Sequence, residues 1–172
     1  KDTLTVVTWN IRFGIGRAEW FGDSCGELVL FDTDEIQDGL ELLAAKITAM
    51  DADILLLQEV DIDSKRSAYI DQVQWLLDNT AMNYGVYASM WEVQFVPSDG
   101  LGRVNTGNAI LSRWPLSEAE RVQLSLRGDQ DDLTKAFYVR RNVLRAMVNY
   151  PDSPFWAVDI HASAFSNDDT KQ

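Results

Sequence analysis

The sequence is poor in cysteine, histidine, proline and positive charge. Cys25 is the only cysteine among 172 residues, which excludes an intrachain disulfide and any zinc site built from paired cysteines. No apolar run reaches the ~20 residues that span a bilayer. With 15 Lys and Arg against 27 Asp and Glu, the net charge is −12. This charge disfavours broad attraction to duplex nucleic acid or to an anionic membrane.

The length and composition fit a single folded domain over residues 1–172. Apolar residues make up 46% of the chain, which is enough for a sizeable core. No repeat, linker or low-complexity tract divides the sequence. It opens at Lys1 without a methionine or a visible leader, so secreted, periplasmic and cytoplasmic locations all remain open. The oligomeric state is open as well.

The most informative stretch is the segment from Ala52 to Asp61. The apolar run from Ile54 to Leu57 is too short for a helix and predicts a buried strand, which ends at Gln58 and Glu59. A carboxylate at the end of a buried strand needs a cation, a hydrogen-bond donor or water, because its desolvation costs several kcal/mol. Glu59 is therefore the first candidate for a metal ligand. The alternative is an ordinary solvated glutamate.

Helical spacing of apolar residues predicts two helices in the first half of the chain. Thr33 and Asp34 offer an N-cap for the first helix. The second helix is predicted to end near Asn79. The apolar positions of the two helices are Ile36, Leu40, Leu43, Ile47 and Met50, and Ile70, Val73, Leu76 and Leu77.

The rest of the sequence is rich in predicted strands. Short turns join most of them, which favours antiparallel pairing and an α+β fold. Pro97 to Gly107 is predicted to be a glycine-rich loop that holds Arg103 and Asn105. Asn167 to Gln172 suits the start of a helix. The predicted strands are Leu4 to Ile11, Tyr84 to Val93, Gly107 to Ser112, Val122 to Leu126, Phe137 to Tyr150 and Phe155 to His161.

Three predicted strands end in a polar side chain, namely Asn10, Glu59 and His161. If the strands are neighbours, these groups converge, and the oxygens of Asn10 and Glu59 suit a hard cation such as Mg²⁺. His161 could protonate a leaving oxygen or hold a developing anion. Arg66 follows the Glu59 strand and could form a fork onto a phosphate. Each residue also has a non-functional interpretation. Asn10 and Asn108 could only shape turns, and His161 and Arg66 could be ordinary surface side chains.

Four segments together resemble the endonuclease/exonuclease/phosphatase family, which has the deoxyribonuclease I-like fold. They are Thr8-Trp9-Asn10-Ile11-Arg12, Asp53 to Asp61, Gly107 to Arg113, and Val158-Asp159-Ile160-His161, and they occur in the family's order. The segment from Ser64 to Gln72 also looks like a pattern of the family's small-substrate and sphingomyelinase-like bacterial members.

This resemblance implies a four-layer αββα sandwich of two mainly antiparallel sheets with outer helices. It also implies Mg²⁺-dependent cleavage of a phosphoester, with Mn²⁺ or Ca²⁺ as alternative ions. By similarity, Glu59 and Asn10 are metal ligands, and Asn10 and His161 are catalytic. Arg66 and Asn108 are our further candidates for contact with the substrate phosphate. The acidic composition favours a small or lipid-type phosphoester over duplex nucleic acid as the partner.

The sequence departs from the family in the fourth of these segments, and it lacks two later motifs of the family. The family's usual Asn-Thr-His-Leu is here Asp159-Ile160-His161-Ala162, and neither a Gly-Asp-Phe-Asn segment nor a terminal Ser-Asp-His is present. We therefore expect the domain to be incomplete at its C-terminus and to correspond to the N-terminal two thirds of a family member. The alternatives are completion by a partner chain and a non-catalytic remnant. For the function, the alternatives to a phosphodiesterase or phosphatase are a metal-dependent nuclease and a binding or scaffold module without turnover.

Overall fold

A computed structural model describes residues 3–22, 26–126, 128 and 139–162. These ranges hold two α-helices and seven β-strands. The helices are α1 (Thr33–Ala49) and α2 (Gln72–Asn79). The strands are β1 (Val6–Asn10), β2 (Ile54–Asp61), β3 (Tyr84–Val96), β4 (Gly102–Ser112), β5 (Leu116–Gln123), β6 (Asn142–Val148) and β7 (Phe155–Ile160).

The strands form two sheets with a mainly antiparallel arrangement. The first has the order β1-β2-β4-β3, and the second has the order β5-β6-β7. Only β1 and β2 are parallel, and their register pairs Asn10 with Gln58. Since parallel strands end at the same edge of a sheet, Asn10 lies directly beside the polar end of β2. The fold class predicted from the sequence, an α+β sandwich of two mainly antiparallel sheets, is confirmed.

Two apolar cores lie on opposite faces of the first sheet. One core joins α1 and α2 to this sheet and contains fully buried residues such as Ile36, Leu40 and Leu57. The other fills the space between the sheets, where Ile54 and Ile110 meet residues of β6 and β7. Burial on both faces explains why β2 has no alternation of apolar and polar residues. None of the described helices is long and apolar enough to cross a membrane.

Helix α1 begins one residue earlier than the sequence predicted. Its N-cap is Asp32, whose side chain accepts a hydrogen bond from the Glu35 backbone, while the Glu35 side chain accepts one from the Asp32 backbone. This reciprocal capping box satisfies two otherwise unpaired N–H groups, so the prediction of Thr33 or Asp34 as the cap was wrong. Gly39 lets α1 approach the turn that follows β1, because a Cβ at this position would lie 1.8 Å from the Gly14 carbonyl oxygen.

Strand β2 does not end at Glu59 but continues to Asp61 through a β-bulge. The pairing of β2 with β4 shifts between Leu57 and Val60, and Glu59 has a φ of +56°. As a result, Leu57 and Val60 both pack into the core between the helices and the first sheet, whereas Gln58 and Glu59 do not belong to that core. A bulge is a recognised means of re-aiming a side chain, and a positive φ at a non-glycine residue costs about 1–3 kcal/mol.

Other strand boundaries also differ from the sequence predictions. Arg103 and Asn105 lie in β4 rather than in a loop, because β3 and β4 continue as a hairpin past the end of β2. The strand predicted at Val122 to Leu126 is instead β5, which begins at Leu116 and is largely exposed. The strand predicted from Phe137 begins at Asn142. The helix start predicted at Asn167 to Gln172 lies outside the described residues.

Candidate active site

Asn10, Glu59 and His161 come together at one edge of the sandwich. Asn10 ends β1, Glu59 is the bulged residue of β2, and His161 directly follows β7. The Asn10 Nδ2 donates a hydrogen bond of 2.9 Å to the Glu59 Oε1. The His161 Nε2 lies 3.7 Å from the same oxygen. The convergence that the sequence analysis required is therefore present, although the catalytic and metal-binding roles of these residues stay predictions.

Asn10 orients the Glu59 carboxylate. Its Oδ1 accepts a 3.0 Å hydrogen bond from the backbone N–H of Arg12, which leaves Nδ2 directed at Glu59. The Arg12 guanidinium in turn donates to the Gly16 carbonyl oxygen at 2.6 Å and fixes the turn after β1. In this orientation Asn10 presents a donor to the carboxylate, while its own oxygen is occupied by the backbone.

His161 is a partly buried imidazole with a lowered pKa. Burial is the largest cause, and the nearby Arg141 guanidinium adds to it, whereas the Glu59 carboxylate raises the pKa. Arg141 also donates from Nη1 to the His161 carbonyl oxygen at 2.8 Å, which holds the backbone at the end of β7. The His161 Nδ1 is buried and has no hydrogen-bond partner among the described residues. A neutral imidazole in this position can either accept a proton or donate one hydrogen bond.

A second polar contact bridges the two sheets beneath the site. Gln58 donates from Nε2 to the Asp159 Oδ1 at 2.6 Å and also to the Thr8 hydroxyl at 3.2 Å. Asp159 is 3% exposed, and burial raises its pKa to about 6. Its Oδ2 has no hydrogen-bond partner within the described ranges. From the sequence, Asp159 was identified only as a departure from the family's asparagine. Neither Gln58 nor Asp159 was predicted to have a role.

Arg66 is held in a buried ion pair. Its Nε and Nη2 each donate to the Asp61 carboxylate at 2.8 Å, and Ser67 donates a third hydrogen bond to that carboxylate at 3.0 Å. The Arg66 guanidinium carbon lies 3.7 Å from the centre of the Phe13 ring. Gln72 completes the arrangement by accepting from the Asp61 backbone and donating to the Phe13 carbonyl oxygen.

In the structure, the Arg66 guanidinium contacts the Asp61 carboxylate and the Phe13 ring. Its binding of a substrate phosphate stays a prediction. The hydrogen-bond network of Asp61, Ser67 and Gln72 was not predicted from the sequence. The signal was present in the cluster of polar residues between Asp61 and Gln72, but the bulge that turns Asp61 inward could not be seen in it.

Asn108 is fully buried and lies opposite the β2 bulge. Its Nδ2 donates to the Asn142 carbonyl oxygen at 3.2 Å, which links the first sheet to the second. The Asn108 Oδ1 and the Asn142 Oδ1 are both buried without a hydrogen-bond partner in the part of the chain that the structure describes. Contact of Asn108 with a substrate phosphate stays a prediction.

A pocket of about 180 Å³ opens beside Glu59 and His161. Its other walls come from the turn after β1, from β3 and β4, and from residues that precede β6. Besides Glu59 and His161, the lining residues are Phe13, Trp20, Arg66, Met90, Trp91, Thr106, Val139 and Arg141.

The donor set at this edge fits a hard cation bound largely through water. Among the described residues, no group of three or more His, Cys, Asp or Glu side chains could enclose an ion. Mg²⁺ is commonly bound through one or two carboxylates and several waters, so the oriented Glu59 carboxylate meets its minimum requirement. The buried Asn108 Oδ1 and Asp159 Oδ2 are further oxygens that lack a partner among the described residues.

Known structures share this architecture. A crystal structure of an endonuclease/exonuclease/phosphatase from Beutenbergia cavernae superposes with a TM-score of 0.66 at 22% identity, and the alignment covers 93% of this chain and 38% of that one. A family protein from Leptotrichia buccalis gives a TM-score of 0.60 at 15% identity, with coverages of 98% and 58%. The human Nocturnin catalytic domain with a bound sulfate anion gives 0.57 at 19% identity, with coverages of 95% and 52%.

This chain therefore spans between 38% and 58% of the length of these three structures. No match was found among curated proteins. The sequence profile of the Endonuclease/Exonuclease/phosphatase family matches residues 7–170, which is nearly the whole chain. The sequence segments, the two-sheet sandwich and this match agree, and the chain belongs to the Endonuclease/Exonuclease/phosphatase family.

Proposed function

We propose that the protein containing this chain is an Mg²⁺-dependent phosphoester hydrolase that acts on a small or lipid-type phosphoester. Family membership supports phosphoester hydrolysis in general. The observation that supports the finer proposal is the Glu59 carboxylate, which a β-bulge and the Asn10 amide aim at His161. Mn²⁺ and Ca²⁺ are the alternative ions.

Glu59 and Asn10 would hold the ion, and the bound ion would supply charge neutralisation to the phosphoryl oxygens. The Glu59 carboxylate is half-buried and preorganised, so it needs little rearrangement to accept a cation. If Asn10 is to offer its oxygen, its amide must rotate away from the Arg12 backbone N–H.

His161 would contact the phosphate next to the Glu59 carboxylate, which lies 3.7 Å from its Nε2. Its lowered pKa keeps the free imidazole neutral at pH 7. A neutral imidazole donates one hydrogen bond to a phosphoryl oxygen, and a phosphate dianion beside it would favour uptake of a proton. His161 is thereby placed to stabilise developing charge or to protonate the leaving oxygen.

The electrostatics favour a compact substrate. A net charge of −12 repels the backbone of a long polyanion, and β1, β2 and β7, which lead into the site, contain no Lys or Arg. Nocturnin, which has the same fold, holds a sulfate anion in its structure, so the fold accommodates a tetrahedral anion of phosphate size. A metal-dependent nuclease is the runner-up, and salt-dependent DNA binding would favour it.

The test is turnover of p-nitrophenyl phosphate and bis-p-nitrophenyl phosphate by the protein at its natural length, with Mg²⁺ and with EDTA. Glu59→Gln removes the charge and keeps the shape, and we expect it to lower kcat by at least 100-fold. Glu41→Gln makes the same change at an exposed site on α1 and serves as the control. Turnover that survives EDTA or Glu59→Gln would contradict the proposal. A folded protein without any turnover would favour the binding or scaffold module.

A further inference from the structure

We propose that Gln58 and Asp159 are positioning residues, and that their hydrogen bond across the two sheets sets the distance between Glu59 and His161. Glu59 belongs to the first sheet and His161 follows the last strand of the second, so neither sheet alone fixes their separation. For its effect on turnover, this inference rests on the proposed function. Its structural part can be tested without any turnover.

Gln58 is the last residue in a row of β2 side chains that face the second sheet. Alternate side chains of a strand point to the same face, and Ile54 and Leu56 precede Gln58 on the face that packs into the core between the sheets. The Gln58 side chain is buried. The β-bulge follows immediately at Glu59, so a displacement of Gln58 would move the candidate metal ligand with it.

Asp159 has the corresponding position in β7. Phe155 and Ala157 precede it on the face that packs into the same core, and Asp159 is itself buried. His161 lies two residues further along the chain. In each of the two strands, therefore, the apolar row that faces the other sheet ends in a polar residue just before the site.

The hydrogen bond between these two residues favours a role in geometry over a role in stability. The Gln58 Nε2 donates to the Asp159 Oδ1 at 2.6 Å. Two apolar side chains of similar shape could replace such a buried pair at little or no loss of stability. The pair is also incompletely satisfied, because the Asp159 Oδ2 has no hydrogen-bond partner among the described residues. Unlike an apolar contact, a hydrogen bond restricts both the distance and the direction between the groups that it joins.

Two further contacts of the site residues act within a single sheet. Asn10, which donates to Glu59, lies on the strand that is parallel to β2. Arg141, which donates to the His161 carbonyl oxygen, directly precedes β6, the neighbour of β7. These contacts hold each side chain relative to its own sheet, whereas the bond between β2 and β7 relates one sheet to the other. Its loss should therefore separate Glu59 from His161.

The test compares the natural-length protein with Asp159→Leu and Asp159→Asn, by crystal structures without metal and by turnover with Mg²⁺. Leucine removes the hydrogen-bond acceptor, whereas asparagine keeps an oxygen for Gln58. In Asp159→Leu we expect the 3.7 Å distance from the Glu59 Oε1 to the His161 Nε2 to increase by about 1 Å or more, and kcat to fall about 10- to 100-fold with KM within about threefold, because a misplacement of about 1 Å can cost about 100-fold in rate. Asp159→Asn should keep the short distance and recover most of the lost kcat.

Val148→Ala is the structural control. Val148 is fully buried in the same core and pairs with Phe155, at the end of β7 remote from Asp159. This variant should lower the free energy of unfolding in a urea titration and leave the Glu59–His161 distance and kcat unchanged. If Asp159→Leu does not fold, the double variant Gln58→Met/Asp159→Leu makes both partners apolar and should increase the distance in the same way.

The two proposals fail in different ways. Turnover that Glu59→Gln abolishes, together with an unchanged distance and kcat in Asp159→Leu, would support the hydrolase and overturn the positioning role. A parent protein without turnover would refute the hydrolase, and the crystal distances would then decide the positioning role alone. An equal loss of kcat in Val148→Ala, or no recovery in Asp159→Asn, would also overturn the positioning role.

Discussion

Removal of the Arg66 guanidinium should leave the buried Asp61 carboxylate without a positively charged partner. In the structure Arg66 is 4% exposed and Asp61 is fully buried, and they are joined by two hydrogen bonds of 2.8 Å. In Arg66→Met the carboxylate keeps the hydrogen bond from Ser67 but loses its only described cationic partner. A buried pair that is broken on one side costs about 3–5 kcal/mol, because the remaining charge stays desolvated.

The free energy of unfolding from urea titration at pH 7 measures this cost. We expect Arg66→Met to lose about 3–5 kcal/mol. Adding Asp61→Asn to the same variant should restore at least about 1 kcal/mol, because an amide is less costly to bury than a carboxylate. This regained stability would show that Arg66→Met destabilises the protein mainly through the unpaired Asp61 carboxylate, and not through lost packing on Phe13.

Arg103→Met is the matched control for this prediction. Arg103 pairs with Asp63 at 2.9 Å, but the two side chains are 25% and 55% exposed, so water screens the pair. Surface pairs contribute about 0–1 kcal/mol. If Arg66→Met and Arg103→Met destabilise the protein equally, the account of the Asp61–Arg66 pair is wrong.

Three further substitutions test other parts of the structure by urea unfolding. Burial raises the pKa of Asp159 from 3.8 in the unfolded chain to about 6, so the native state holds its proton more tightly and stability falls as pH rises from about 4 through 6. For the parent protein in EDTA, the free energy of unfolding should fall by on the order of 2 kcal/mol over this pH range, and Asp159→Asn should not show this fall. Equal pH dependence of stability in the two proteins would refute the raised pKa of Asp159. Asp32→Ala removes the N-cap and should cost about 1 kcal/mol, whereas an unchanged midpoint would contradict the capping box. Gly39→Ala places a Cβ 1.8 Å from the Gly14 oxygen and should cost about 1–3 kcal/mol, unless α1 can move at no cost.

The two helices and the mainly antiparallel pairing of the strands could be predicted from the sequence, because these features depend on local patterns. The apolar spacing along α1 matches its buried face, and Ile36, Leu40 and Ile47 are all buried. The end of α2 at Asn79 was also predicted correctly. Short turns indicated antiparallel sheets, and the two sheets have that character.

The site could be predicted only in part. Polar residues at strand ends identified Asn10, Glu59 and His161, and the parallel pairing of β1 with β2 brings the first two together. The bulge at Glu59 had no sequence signal, because glutamate has no preference for a positive φ. Because the bulge could not be predicted, the sequence indicated a strand that ends at Glu59, whereas β2 continues to Asp61.

Long-range polar contacts were beyond the sequence for a different reason. Gln58 and Asp159 are 101 residues apart in the chain, and their hydrogen bond depends on how the two sheets face each other. The Asp61–Arg66 pair is local, but its burial depends on the bulge and on the Phe13 ring above it. Composition and periodicity carry no information on either arrangement.

Divalent-ion binding tests the central claim most directly. The titration would follow Mn²⁺ binding, by calorimetry, to the natural-length protein and to its Glu59→Gln and Glu41→Gln variants. Our account expects one Mn²⁺ site in the parent protein, at least tenfold weaker binding in Glu59→Gln, and no change in Glu41→Gln. Equal affinity of the parent protein and Glu59→Gln would show that the bulged carboxylate of β2 is not the metal ligand.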